Sequence, residues 1–265
     1  MPSGLMREKR GLVMGVANDH SIAWGIAKAL ASEGAELAFT YQGEALGKRV
    51  IPLAQSLGAK HVLSCDVEDV VSVDAIFSTL GAAWGAMDFL VHCIGFSDRN
   101  QLKGRYVDTS RDNFIRTMVV SAFSFTEVAK RAAALMPSGG AMLTLTFGGS
   151  TRVVPNYNVM GVAKAALEAS VRYLAADFGP DNIRVNAISA GPIRTLAGAG
   201  IADARFMFNF QRAHSPLRRT VTIENVGGAA LYLLSGLSDG VTGEVHFVDA
   251  GYNIVSMPRP DDIKD

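Results

Sequence analysis

Two polar side chains stand out in the segment RVVPNYNVMGVAKAALEAS, from Arg152 to Ser170. They are Tyr157 and Lys164, seven residues apart in a run of Val, Met, Ala and Leu. On a helix, seven residues make almost two turns, so both would project from nearly the same face, about 10 Å apart in axial rise. A lysine is long enough to shorten that gap toward a shared ligand. Tyrosine is a weak acid with an ordinary pKa of about 10, and a nearby ammonium favours phenolate-like character. Such a hydroxyl can donate to an oxygen that gains negative charge as a reaction proceeds. The plain alternative is an amphipathic helix whose lysine snorkels to water. The elements around the pair decide between the two.

Those elements alternate between short apolar runs and longer helical patterns. GLVMGV (Gly11 to Val16) is predicted as a first strand, followed by a helix over SIAWGIAKALASEG whose Gly34 suits a C-terminal cap. AELAFTY, HVLSCDV, MDFLVHCIG, GGAMLTLTF, IRVNAIS and GEVHFVD supply six further strands. Most are apolar throughout rather than alternating, as expected when helices cover both faces of a parallel sheet. Repeated βα units of this kind predict an α/β chain with a doubly wound sheet, and no linker or repeat divides it.

In such sheets ligands bind at the carboxyl ends of the strands, where the first loop meets a helix amino terminus. Here that loop is GVANDHSIAWG. Gly15 permits a tight turn, Ser21 suits the N-cap ahead of Ile22, and Gly25 would let the helix pack close to the sheet. The spacing is not G-x-G-x-x-G, and glycines that merely turn the chain remain the bland alternative. Gln42, at the end of the second strand, can hydrogen-bond a 2′-hydroxyl but offers no cation for a 2′-phosphate, which favours NADH over NADPH. Lys48 and Arg49 lie about one turn onward. Asp66 and Val67 end the third strand, where the carboxylate could meet an adenine amino group or simply cap a helix. Gly95 opens the backbone after the fourth strand, and His92 within it suits the core. With this cradle in place, Tyr157 would face an oxygen charged during hydride transfer, and Lys164 would hold the ribose of the nicotinamide half.

Composition narrows the field. Of 265 residues, 49% are hydrophobic and 19% charged, enough for a sizeable core. Lys+Arg and Asp+Glu both number 25, so no overall charge draws the chain to nucleic acid or an anionic membrane. Cys65 and Cys93 lack disulfide or metal spacing, and no metal is expected. MPSGLMREKRG lacks a signal-peptide core and no 18-residue apolar run occurs, so a soluble cytoplasmic protein is expected. FGGSTR is not the G-x-S-x-G of a hydrolase.

The segments GVANDHSIAWGIAKALASEGAELAFTYQ, CDVED, VHCIGF, PNYNVMGVAKAALEASVRYLAADFGP, IRVNAISAGPIRTLAGAGI and SPLRRTVTIENVG together resemble one family. It is the bacterial NADH-dependent enoyl-[acyl-carrier-protein] reductases, a divergent branch of the short-chain dehydrogenase/reductase superfamily. The resemblance runs from about Lys9 to Met257, and its most discriminating motif is Tyr-x6-Lys, where ordinary superfamily members carry Tyr-x3-Lys. It implies a single Rossmann-type domain over residues 1–265 with a small helical substrate-binding lid at 196–212. It also implies reduction of trans-2-enoyl thioesters on acyl carrier protein in fatty-acid biosynthesis, and a homotetramer. Gly15, Ser21, Ile22, Gln42, Asp66, Val67, Ile94 and Lys164 resemble the family's dinucleotide contacts. Ile193, Arg194, Thr195, Leu196 and Ala197 resemble its loop over the nicotinamide and pyrophosphate. Tyr157 resembles the tyrosine facing the thioester carbonyl, and Ser97 a backbone substrate contact. The chain departs at Phe147, where the family usually has a second tyrosine.

Beyond those residues, Phe206, Met207, Phe208 and Phe210 could line an acyl channel or belong to a buried helix. Arg194, Arg205, Arg212, Arg218 and Arg219 could meet an acidic carrier protein. A carbonyl reductase on the same scaffold stays open as a competitor, although it would place lysine at Gly161 and serine at Thr144. A non-catalytic NAD-binding regulator also stays open: Phe147 favours it, whereas Tyr157 and Lys164 oppose it.

Overall fold

The computed structural model describes residues 4–195 and 204–257. Its first half is a run of βα units: β1 (Arg10–Met14), α1 (Ile22–Ser32), β2 (Glu36–Tyr41), α2 (Gly43–Ser56), β3 (His61–Ser64), α3 (Val70–Trp84) and β4 (Phe89–His92). Then come the short α4 (Arg99–Leu102), α5 (Arg111–Met118), one π-helical turn (Val119–Phe123) and α6 (Ser124–Ala133). The second half contains β5 (Gly140–Thr146), α7 (Asn158–Phe178), β6 (Ile183–Ala190), α8 (Ala204–His214), α9 (Ile223–Leu234) and β7 (Val245–Val248).

The strands form one seven-stranded sheet in the order β3-β2-β1-β4-β5-β6-β7, every neighbouring pair parallel. Chain direction across the sheet reverses between β1 and β4, which places the ligand crevice of a doubly wound fold there. Register explains the uniformly apolar strands. Leu12 and Met14 of β1 join Ala38 and Leu90 in a core beneath α3, α6 and α7. Val13 between them joins Phe39, Phe89 and Val91 in a second core beneath α1, α2 and α9. Each face is buried, so alternate residues are both apolar, each side chain contributing about 1.5–3 kcal/mol of transfer free energy.

Several strands stop short of their predicted carboxyl ends, while β2 ends at the predicted Tyr41 and β6 runs one residue further, to Ala190. β1 ends at Met14, β3 at Ser64 and β4 at His92, although Val16, Cys65 and Val67 remain buried. Apolar sequence continues into the loops because the loops are packed, whereas ladder hydrogen bonding ends where the chain leaves the sheet to form the ligand edge. Gly34, just past α1, has φ +97°, the left-handed conformation expected of a helix-terminating glycine.

Candidate active site

At the reversal point Gly15 has φ +97°, and a Cβ there would lie 2.2 Å from the Cys93 carbonyl oxygen, so no side chain fits. Ser21 occupies the N-cap position of α1, but its Oγ makes no cap to the helix. It accepts instead from the backbone N–H groups of Ala17 (3.0 Å) and Asn18 (3.1 Å), tying the loop together. The Ile22 and Ala23 amides at the start of α1 are left to an anion or water, while Trp24 N–H donates to the Ser21 carbonyl at 3.0 Å. Gly25 serves a different partner from the predicted one. A Cβ there would meet Ile223 O at 2.5 Å, and one at Gly227 would meet Gly25 O at 2.7 Å, so the glycines set the contact between α1 and α9, not the sheet.

At the outer end of the crevice the Gln42 amide donates to Asp66 Oδ2 (3.0 Å), joining the ends of β2 and β3. Asp66 caps no helix: its other oxygen accepts from the Glu68 N–H, while Asp69 caps α3 by accepting from Val71. Val67 is buried in the adjoining core, and Ile94 packs against it.

A cavity of about 1040 Å³ occupies the carboxyl edge of β4, β5 and β6. Of the residues singled out in the sequence, Ile22, Ile94, Ser97, Phe147, Tyr157, Lys164, Ile193 and Thr195 line it. Gly15 abuts its Cys93 wall, while Gln42, Asp66 and Val67 lie beyond its lining. Arg194 lines a neighbouring recess of about 370 Å³ with His20 and Arg212, its guanidinium 5.7 Å from the Phe208 ring centre. Leu196 and Ala197 lie outside the described residues, as does 196–203 of the predicted lid. Its remainder lies in α8, where Met207 and Phe208 line the cavity. Phe206 and Phe210 do not: four residues apart, they share an exposed face with His214.

Tyr157 precedes the helix rather than lying within it. It takes the N-cap position of α7 with φ −103°, between Asn156 (φ 60°) and Asn158 (φ 37°). Asparagine is among the few residues that accept left-handed backbone. The Asn158 amide further anchors the turn by donating to Leu102 O (2.9 Å) and Gly104 O (3.2 Å). The Tyr157 ring lies against the Gly149 backbone, where a Cβ would fall 2.5 Å from Cδ1, and meets Phe147 edge-on at 5.0 Å. Tyr157 is 7% exposed and lines the cavity, and its hydroxyl takes part in no hydrogen bond among the described residues. Burial, then the charge of Glu168, push this phenol above its ordinary range. It is therefore a protonated donor at neutral pH and not phenolate-like, because burial and the Glu168 charge both favour the neutral form.

Lys164 is 8% exposed and donates to Leu145 O at 2.8 Å. Burial brings it down to about 8, with Cys93 and Glu168 opposing that shift. Gly161 sits where an ordinary superfamily lysine would be, and a Cβ there would lie 2.7 Å from Gly149 O. Thr144, at the ordinary serine position, is turned into the core against His92.

Glu168, Thr146, Asn113, Thr117 and Ser121 join the site without having been expected from the sequence, and His92, Ser97 and the two cysteines take defined places beside them. Buried Glu168 accepts from Thr146 Oγ1 (2.6 Å); its spacing of four from Lys164 on an apolar helix was the available signal. The Ser97 hydroxyl faces inward, accepting from Thr117 Oγ1 (3.0 Å) and Asn113 Nδ2 (3.2 Å). Ser121, in the π turn, accepts from the Phe96 N–H and donates to its carbonyl, fixing the backbone beside Gly95. His92 is fully buried between Thr144 and Ser124 and, through burial and then the charge of Lys164, is pushed down to about 3. Burial raises the thiols of Cys65 to about 11 and Cys93 to about 12, so both stay protonated. Among the described residues no three His, Cys, Asp or Glu side chains group to hold a metal.

A family model described as enoyl-(acyl carrier protein) reductase matches residues 15–253. The chain is 73% identical over 256 residues to enoyl-[acyl-carrier-protein] reductase [NADH] 2 of Rhizobium meliloti (strain 1021), covering 97% of this chain and 96% of the relative. Its fold matches the crystal structure of FabI from Candidatus Liberibacter asiaticus with a TM-score of 0.95 at 61% identity, covering 96% of this chain and 99% of that one. It also matches the Anaplasma phagocytophilum enoyl-(acyl-carrier-protein) reductase in complex with NAD, with a TM-score of 0.93 at 57% identity, covering 96% and 97%.

Proposed function

The chain belongs to the enoyl-(acyl carrier protein) reductase family, and from that premise we propose which of its residues carry the chemistry. The reaction is the NADH-dependent reduction of the trans-2 double bond of an enoyl thioester on acyl carrier protein, in fatty-acid biosynthesis. NADH fits the residues present. The close backbone approach at Gly15 and the open Ile22 and Ala23 amides of α1 suit its pyrophosphate, and Gln42, Asp66, Val67 and Ile94 suit its adenosine half. Lys48, in α2 beyond Gln42, pairs with Glu44 at 2.7 Å. When bound, NADH supplies the hydride that adds at the carbon β to the thioester carbonyl.

Tyr157 donates its hydroxyl hydrogen to the thioester oxygen as that oxygen gains enolate charge, and Lys164 holds the nicotinamide ribose. Ile193, Arg194, Thr195, Leu196 and Ala197 cover the cofactor, while Ser97 fixes the backbone along the acyl thioester. The observation that carries this assignment is a buried, protonated phenol lining the cavity without a hydrogen bond to any other described residue. The test follows NADH absorbance with a short enoyl thioester and a ketone control. Consumption with the thioester alone is expected, and an inert wild type would overturn the assignment. The ketone-reductase reading meets its obstacle at Gly161, which leaves no room for a lysine.

Further assignments extend this reading. The chain is one catalytic domain whose residues 196–212 act as the substrate lid. A homotetramer is supported by apolar side chains exposed along α5 to α7, among them Ile115, Phe123, Val162 and Tyr173. Arg194, Arg205, Arg212, Arg218 and Arg219 form the docking face for the acidic carrier. Arg205→Glu should weaken carrier-linked turnover and its salt dependence, and unchanged values would remove that assignment. Among the described residues no helix is long and apolar enough to cross a membrane, and a cytoplasmic location is proposed.

A further inference from the structure

Glu168 is a carboxylate with 8% exposure, one helical turn beyond the cavity-lining Lys164, and the reaction above gives it no part. Its position follows from the register between α7 and β5. Lys164 reaches across to the Leu145 carbonyl (2.8 Å), and one helical turn later Glu168 reaches the hydroxyl of the next strand residue, Thr146 (2.6 Å). Leu145 and Thr146 both line the cavity. A helix therefore sends a cation and an anion, four residues apart, to adjacent positions at one strand end. A buried ammonium without a counter-charge is costly, and so is a buried carboxylate. We propose that Glu168, clamped by the Thr146 hydroxyl, is a positioning residue that supplies the buried counter-charge of Lys164 and holds it ready for the cofactor ribose. This inference deepens the role given to Lys164 and rests on it.

Among the described residues, the titratable groups that act on the ammonium are Glu168 from its own helix and His92 and Cys93 from the end of β4, with Tyr157 lining the same cavity; β5 presents only neutral groups. His92 titrates near 3 and Cys93 near 12, and Tyr157 is raised, so none of the three changes charge between pH 6.5 and 9. Glu168 opposes the lowering of Lys164, so removing its charge moves the loss of the ammonium to lower pH.

The experiment titrates the protein with NADH by fluorescence from pH 6.5 to 9, with no acyl substrate. In wild type, affinity should fall with a midpoint near pH 8. In Glu168→Gln the midpoint should move down by about one unit, giving binding about tenfold weaker at pH 9 and within about twofold of wild type at pH 6.5. A merely structural defect would weaken binding across the whole range. Thr146→Val should move the midpoint the same way and Thr146→Ser should restore it. These two variants decide the matter if Glu168→Gln does not fold. Midpoints for Glu168→Gln that coincide with wild type overturn the proposal, as do coincident midpoints for Thr146→Val and Thr146→Ser. Because no turnover is read, a wild type inert toward enoyl thioesters would defeat the reaction assigned above without affecting this result.

Discussion

Tyr157→Phe removes one cavity-lining atom that takes part in no hydrogen bond among the described residues. The ring itself is held by contacts that a phenylalanine keeps: the Gly149 backbone against one edge and the Phe147 ring at 5.0 Å and 71°. Neither the fold nor NADH binding should therefore respond. The melting temperature should stay close to wild type, and NADH affinity should stay within about twofold. The transition state is different, because the developing oxyanion loses its buried donor. Loss of one such donor costs about 2.7–4 kcal/mol, or about 10²–10³ in kcat. The assay is NADH oxidation at saturating cofactor and enoyl thioester, with a fluorescence titration of NADH and a thermal melt of the same preparation. A kcat within a few-fold of wild type would refute the reasoning. So would a fall in kcat matched by an equal loss of cofactor affinity, which would make the hydroxyl a binding group.

Lys164→Ala should weaken NADH about 10- to 150-fold, the range of about 1.5–3 kcal/mol for a hydrogen bond to a charged group, and unchanged NADH affinity would remove the ribose role. Phe147→Tyr should change kcat/KM with a short enoyl thioester by no more than about tenfold, since a hydroxyl added beside Tyr157 contributes about 0.5–1.5 kcal/mol; an inert wild type with an active variant would show that the second hydroxyl is required. His92 is neutral in the fold down to about pH 3 and charges more readily when unfolded, near its ordinary 6.5. Its contribution to stability is thus fully present above pH 6.5 and lost as pH falls toward 3, so the acid-side fall in melting temperature should be shallower in His92→Asn. Equal slopes would contradict that burial.

Much of this architecture was legible because the strands are buried on both faces, which writes continuous apolar runs into the sequence. The same property blurred their ends. Cys65 and Val67 look like strand because they are buried, yet β3 ends at Ser64, where its ladder to β2 stops. Tyr157 and Lys164 were visible as a spaced pair, but the left-handed residues Asn156 and Asn158 that set the tyrosine outside the helix leave no periodic trace. Gly25 showed the need for close approach but not the partner, since contact with α9 depends on a residue almost two hundred positions away. Phe206 and Phe210 were drawn toward the cavity by their hydrophobicity, while helical spacing turns them away from Met207 and Phe208. Glu168 escaped notice because its carboxylate acts through a strand hydroxyl distant in sequence.

The convergence of the phenol and the amine is tested most directly by a crystal structure of the protein with NADH and a saturated, unreactive acyl thioester. Tyr157 Oη is expected within hydrogen-bond distance of the thioester oxygen, and Lys164 Nζ on the nicotinamide ribose. Either side chain turned away from both ligands would contradict it.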